Sequence, residues 1–397
     1  MTICATEGVN RDESDSRMYS VMLAFGTRPE AIKLAPVYHE ILRRNGRLRL
    51  ICCTTGQHRQ LLDSVLELFD ITSDYDLKIM AEDQSLFHIT SSVLEGMKQV
   101  LLREKPDILV VQGDTTSAFA AALSAFYLKI PIAHVEAGLR SYDRFQPYPE
   151  EANRAFISQI ADVHFCPTRR ASENLLGERI PASSIHVTGN TVVDALLSTL
   201  KLLQEGERSF SAIPGVDAPG DRMILVTGHR HENFSHGLAN LSRALVKLAD
   251  TYPEIRVVYS IHPNPRVREQ VETILCSHSR ITIIPQPDYV QFVSLMSRSY
   301  FIITDSGGIQ EEAPTLKKPV LIARNVTERP EAVECGAALL VGTDPERIVK
   351  EASRLLDDEA AFASMTKAEN PFGDGHASER IVDIIEHFLS DNTRDGE

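Results

Sequence analysis

Short, largely apolar runs alternate along most of the chain with longer segments whose apolar residues recur every three or four positions. "VMLAF" precedes "PEAIKLAPVYHEILRR", "RLRLICCT" precedes "HRQLLDSVLELF", "ILVVQ" precedes "SAFAAALSAFYLK", and "IPIAHVE" leads to a helical pattern beginning near Glu150. Runs of this length without polar alternation read as strands buried on both faces, and their alternation with amphipathic helices predicts parallel sheets. After "SSIHVTGNTVVDALLSTL" the polar stretch "QEGERSFSAIPGVDAPGDR" interrupts the pattern, which restarts with "MILVT", "IRVVYSIH", "RITIIP", "YFIITD" and "PVLIA". The pattern therefore predicts an α/β protein of two doubly wound, Rossmann-like domains, over residues 20–190 and 191–370. Residues 1–19 are expected to be a disordered tail. Residues 371–397 contain the amphipathic "SERIVDIIEHFLS", expected to pack back on the first domain.

Composition narrows the class. A chain of 397 residues exceeds one ordinary core, which agrees with two domains. With 43% hydrophobic and 24% charged residues it has a soluble globular composition, and no apolar run approaches the roughly 20 residues of a membrane helix. The opening "MTICATEGVNRDESDSRMY" contains acids and has no apolar signal-peptide core, so a cytoplasmic location is expected. A formal charge of -14 argues against nucleic acid or an anionic membrane as the main partner. Six cysteines without paired spacing suit reduced thiols. There is no CxxC, HExxH or GxGxxG, so neither a metal nor a cofactor is expected.

The turns from strand to helix carry the candidate chemistry. In open parallel sheets ligands bind beyond the carboxyl ends of the strands, where helix N-termini present unpaired N–H groups. "FGTRPE" turns at Gly26 and enters a helix near Pro29, flanked by Arg28 and Lys33; "TDSGGIQEE" sets Ser306, Gly307 and Gly308 in the same position. "GDTTS" and "TGHRHENF" repeat the arrangement with Asp114 and His229, and "HVEAGLRSYDRFQPYPEEANR" crowds charges where a strand has just ended. Taken singly, each is a plain turn or solvated loop by default. Their recurrence at equivalent strand ends points to one anion-binding cleft.

The segments "FGTRPEAIKLAP", "TGQHRQLLD", "GDTTS", "HVEAGLRS", "PEEANR", "VTGNTVVDAL", "VTGHRHENF" and "TDSGGIQEEAPTLKKPVL…TERPEA" closely resemble the non-hydrolysing bacterial UDP-N-acetylglucosamine 2-epimerases, in order and spacing from about Met22 to Gly375. The resemblance implies the two-Rossmann, GT-B-type fold with a UDP-N-acetylhexosamine in the interdomain cleft, a homodimer, and a role in supplying cell-surface polysaccharide precursors. By the same resemblance Arg28, Lys33, Phe292, Ser306, Gly307, Gly308 and Glu312 match positions that hold UDP. Asp114, Glu136, Glu150, Arg154 and His229 match the catalytic set.

Those residue types suit the implied reaction. C2 of the sugar is not α to a carbonyl, so inversion there by the family's route eliminates UDP to give 2-acetamidoglucal and then adds UDP back. Proton removal and return on opposite faces needs two acid/base groups, which Asp114, Glu136 and Glu150 can supply. The departing diphosphate needs cations and helix-terminal dipoles, which Arg28, Arg154, His229 and the Ser-Gly-Gly turn can supply. Gln57, Gln60, Glu151 and His262 match the region where several members bind a second UDP-N-acetylglucosamine as activator. Asp83 and His231 stand there where basic groups are expected, and Tyr148 stands where Trp is common. Three other readings share much of this pattern: a hydrolysing 2-epimerase, an epimerase of a modified UDP-N-acetylhexosamine, and a GT-B glycosyltransferase.

Overall fold

The computed structural model describes residues 18–394 apart from 45, 57–58, 82–83, 207–221, 229–236, 262–263 and 277; the expected tail thus lies almost wholly outside the described residues. The first half runs β1 (Tyr19–Phe25), α1 (Arg28–Arg43), β2 (Leu48–Thr54), α2 (Arg59–Leu68), β3 (Tyr75–Asp76), α3 (Leu86–Glu104), β4 (Ile108–Gln112), α4 (Thr116–Tyr127), β5 (Ile132–Val135), α5 (Glu150–Ile160), β6 (Val163–Cys166), α6 (Arg169–Gly177), β7 (Ile185–Val187) and α7 (Thr191–Gln204). The second runs β8 (Arg222–Gly228), α8 (Gly237–Thr251), β9 (Ile255–Ile261), α9 (Pro265–Leu275), β10 (Ile281–Pro285), α10 (Tyr289–Arg298), β11 (Phe301–Thr304), α11 (Gly307–Glu312), β12 (Val320–Ile322), α12 (Pro330–Glu334) and β13 (Ala338–Leu340), then α13 (Pro345–Asp357), α14 (Glu359–Thr366) and α15 (Ala377–Arg394).

The strands form two sheets, ordered β3-β2-β1-β4-β5-β6-β7 and β10-β9-β8-β11-β12-β13, with parallel pairing throughout. Burial explains why β1 lacks polar alternation. Val21, Leu23 and Phe25 join one core cluster and Met22 and Ala24 another, so both faces are covered. In each sheet the chain reverses its direction of winding, between β1 and β4 in the first and between β8 and β11 in the second. Crevices open beyond the strand ends at such reversals.

One apolar cluster runs from the first sheet into the second. It includes Leu34, Val37 and Ile41 of α1, Val193 and Leu196 of α7, Tyr289 and Val293 of α10, and Leu225 and Ile302 of the second sheet. Helix α7 contacts α1 on one side and α10 and α11 on the other, and α15 lies on α1 and α7. Ile381, Val382, Ile385 and Leu389 of α15 are buried there, each contributing about 1.5–3 kcal/mol of apolar burial. Asp194 fixes where α15 starts, accepting the Ser378 N–H (2.8 Å), the Ser378 hydroxyl (2.7 Å) and the Ala377 N–H (3.3 Å). Among the described residues no helix is long and apolar enough to cross a membrane.

Candidate active site

Glu30 holds the first switch point together. Its Oε2 accepts the N–H groups of Gly26 (3.0 Å) and Thr27 (2.7 Å) in the turn after β1, and its Oε1 accepts the Thr115 hydroxyl (2.7 Å) in the turn after β4. Arg28 therefore opens α1 at a fixed place, where it meets the field of Asp288, Tyr289 and Glu312 from the second half.

Asp114 lies two residues beyond β4 and Glu136 directly beyond β5, so neighbouring strand ends deliver both carboxylates to one crevice. Glu136 has φ +66°, a left-handed conformation that is costly for a side chain and is retained where surrounding contacts enforce it. Helix α5 clamps Asp114: Arg154 Nη2 donates to its Oδ2 at 2.5 Å, and Asn153 Nδ2 donates to its backbone carbonyl at 2.9 Å. Glu150, half-buried, opens the same helix. Both oxygens of Glu151 accept loop N–H groups, from Ser141 and Tyr142 at 3.0 Å each, and Arg154 Nη1 lies 3.4 Å from Oε2.

Glu136 anchors a buried cluster built from both halves. Lys33 Nζ and Asn190 Nδ2 donate to it, the latter at 3.0 Å. The same Asn190 amide donates to Glu311 at 3.1 Å; Lys33 lies 4.0 Å from Glu311, and Arg329 Nε donates to Glu311 at 2.7 Å. Arg329 lies so close over Gly307 that a Cβ there would sit 2.7 Å from its Nη1, so a larger residue would have to displace the guanidinium. Two cations thus balance two carboxylates, with a neutral amide between them.

These surroundings push proton affinities apart. Burial alone would raise Glu136, but Lys33 and Arg329, with hydrogen bonds from Lys33 and Asn190, outweigh it and hold the carboxyl below its ordinary value. Asp114 goes the other way, because its burial exceeds the opposing pull of Arg154. Burial dominates at His134 as well, which falls to about 3 and so is neutral beside the site.

On the second sheet Ser306 precedes α11, which starts at Gly307 and Gly308. Glu312, one turn on, accepts the Tyr289 hydroxyl at 2.9 Å, and Phe292 packs half-buried on α10. Burial raises Glu312 to about 7 against the Tyr289 hydrogen bond, so between about 4.5 and 7 the folded state holds a proton that the unfolded state has released. This group's contribution to stability therefore falls as pH rises through that window. Glu312→Gln is expected to match the parent protein in thermal unfolding at pH 5 and to exceed it at pH 8 by about 2–3 kcal/mol. Equal differences at both pH values would mean that Glu312 does not titrate there.

Of the residues singled out in the sequence, the contacts bring together Lys33 with Glu136 and Arg154 with Asp114, and Arg28 meets the field of Glu312; Ser306, Gly307 and Gly308 stand in the turn after β11, while Glu150 and Phe292 lie on α5 and α10. His229, Gln57, His262, Asp83 and His231 lie outside the described residues, as does the Gln60 side chain. The sequence reading did not single out Asn190, Glu311 or Arg329, although each stands inside a segment quoted for the resemblance.

Comparison with known proteins adds to this geometry. The family profile described as UDP-N-acetylglucosamine 2-epimerase matches residues 40–386. The UDP-N-acetylglucosamine 2-epimerase of Escherichia coli (strain K12) is 48% identical over 371 residues, covering 92% of this chain and 98% of that protein. The crystal structure of the UDP-GlcNAc 2-epimerase from Neisseria meningitidis bound to UDP-GlcNAc superposes with a TM-score of 0.87 at 45% identity, covering 92% of this chain and 99% of that one. A glycotransferase of kitacinnamycin shares only the fold, with a TM-score of 0.63 at 11% identity, covering 94% of this chain and 100% of that one.

Proposed function

The chain belongs to the UDP-N-acetylglucosamine 2-epimerase family, and on that premise we propose that it interconverts UDP-N-acetylglucosamine and UDP-N-acetylmannosamine, with Glu136 and Asp114 working on opposite faces of C2. The supporting observation is the pair of carboxylates at adjacent strand ends, one held below its ordinary proton affinity and the other above it. Such divergence separates an acceptor from a donor. Glu136 takes the C2 proton as the C1–O bond to the diphosphate breaks, leaving a C1–C2 double bond and bound UDP. The double bond then takes a proton from Asp114 at C2 on the other face, and the diphosphate oxygen re-forms the bond to C1. Arg28, Arg329 and the Ser306-Gly307-Gly308 turn hold the departing UDP, which keeps water from intercepting the glucal.

The test is incubation with UDP-N-acetylglucosamine alone in D2O, followed by 1H and 31P NMR. UDP-N-acetylmannosamine carrying deuterium at C2 is the expected product. Free N-acetylmannosamine with UDP as the only products would identify a hydrolysing enzyme instead.

The active unit in this proposal is a homodimer. Phe87 on α3, Phe126 and Tyr127 on α4 and Phe156 on α5 are all exposed, on helices that pack side by side. These exposed aromatic side chains on neighbouring helices are what supports the reading. Sedimentation equilibrium is expected to give twice the chain mass, and Phe156→Asp to halve it; a monomeric parent protein would remove the dimer.

A further inference from the structure

We propose, on the basis of the functional reading above, that Asn190 is a positioning residue for the epimerisation: its amide holds Glu136 beside Glu311 in one orientation and in proton-accepting form. Asn190 stands at the start of α7, where Phe372 and Gly373 return from the second half. Its backbone N–H donates to the Phe372 carbonyl at 2.6 Å, and Gly189 and Gly373 meet so closely that a Cβ on Gly189 would lie 3.2 Å from Gly373 Cα. The chain thus crosses itself at a point that fixes Asn190 relative to both sheets.

The side chain is fully used, and its orientation follows from its partners. Oδ1 accepts the Val192 N–H at 3.2 Å, capping α7, so the nitrogen must face the two carboxylates. An amide nitrogen has two hydrogens, and each goes to a different acid: Glu136 at 3.0 Å and Glu311 at 3.1 Å. Substitutes lack one property or another. Serine offers a single donor, and aspartate adds a third negative charge between two carboxylates that Lys33 and Arg329 balance.

Among the described residues, the groups acting on Glu136 are Lys33 on α1, Asp114 after β4, His134 on β5, Glu311 on α11 and Arg329 before α12. Of these, Glu311 is a fully buried carboxylate tied to the same partners, because it shares both Lys33 and the Asn190 amide with Glu136. Two substitutions should therefore move the acid limb of the kcat profile in opposite directions. Removing the donor weakens the ionised form of Glu136, whereas removing the like charge strengthens it.

The experiment compares Asn190→Ser, Asn190→Asp and Glu311→Gln with the parent protein by kcat as a function of pH and by calorimetric UDP binding. Serine and aspartate both retain an acceptor for the α7 cap, which limits the structural cost. Asn190→Asp is expected to lower kcat on the order of 10²-fold and to raise the acid limb by about one pH unit, with Asn190→Ser showing a smaller shift of the same sign. UDP affinity should change less than about threefold in the Asn190 variants, while Glu311→Gln should lower the acid limb. A fall in kcat with an unmoved limb is what a merely structural hinge residue would give and overturns the proposal. If neither Asn190 variant folds, Glu311→Gln decides alone, and a limb that rises or stays fixed overturns it. A parent protein that does not epimerise sinks the functional reading and this inference together, whereas an active parent with unmoved limbs sinks only the inference.

Discussion

Replacing Glu136 with Gln is expected to lower kcat by about 10²–10⁴-fold while leaving UDP binding intact or slightly tighter. The first effect follows from chemistry: an amide cannot take the C2 proton, and the loss amounts to roughly 3–5 kcal/mol of barrier. The second follows from the charge balance of the cluster. With Glu136 neutral, Lys33 and Arg329 face Glu311 alone, and one positive charge is free for a diphosphate. Geometry is largely conserved, because the Gln carbonyl can still accept from Lys33 and Asn190. Steady-state turnover and calorimetric titration with UDP separate the two effects. Parent-like turnover would remove Glu136 from the mechanism, and loss of UDP binding with turnover would make it a structural group.

Much of this arrangement is written locally in the chain, and the rest is not. Strands such as "VMLAF" and "ILVVQ" are legible because burial on both faces erases polar alternation. The short β3, β6 and β7 carry no comparable run; they are strands only because a neighbouring strand supplies their hydrogen bonds. Asp114, Glu136 and Glu150 are legible because the family resemblance singles them out and each falls at a strand end or a helix start. Asn190, Glu311 and Arg329 are not. Asn190 reads as an ordinary helix cap, which it also is, and Glu311 reads as the outer neighbour of Glu312. Their second role exists only when the two sheets are brought together, and nothing local to either segment records that contact. Lys33 makes a contact of the same kind: its bond to Glu136 joins α1 to the strand end after β5, and neither segment records it.

The second large effect separates the two faces of the reaction. Asp114→Asn is expected to lose net epimerisation by about 10²–10⁴-fold yet to keep exchanging the C2 hydrogen of one epimer with solvent. Glu136 still removes that proton and UDP still departs, because the cations that hold it do not depend on Asp114. With no acid on the other face, the glucal can only regain a hydrogen from Glu136, and so returns to the epimer it came from. In D2O that hydrogen becomes deuterium whenever Glu136 equilibrates with solvent before the return. Glu136→Gln should do the converse, leaving exchange in the opposite epimer through Asp114. Each variant is therefore incubated separately with UDP-N-acetylglucosamine and with UDP-N-acetylmannosamine, and the C2 signal is followed by 1H NMR. Exchange in opposite epimers assigns one carboxylate to each face. Exchange of both epimers by Asp114→Asn would show that another group reaches its face, with Glu150 at the start of α5 the next carboxylate along the same wall. Exchange in neither would mean that Asp114 is needed for the departure of UDP itself, and the division of labour between the two acids would have to be redrawn.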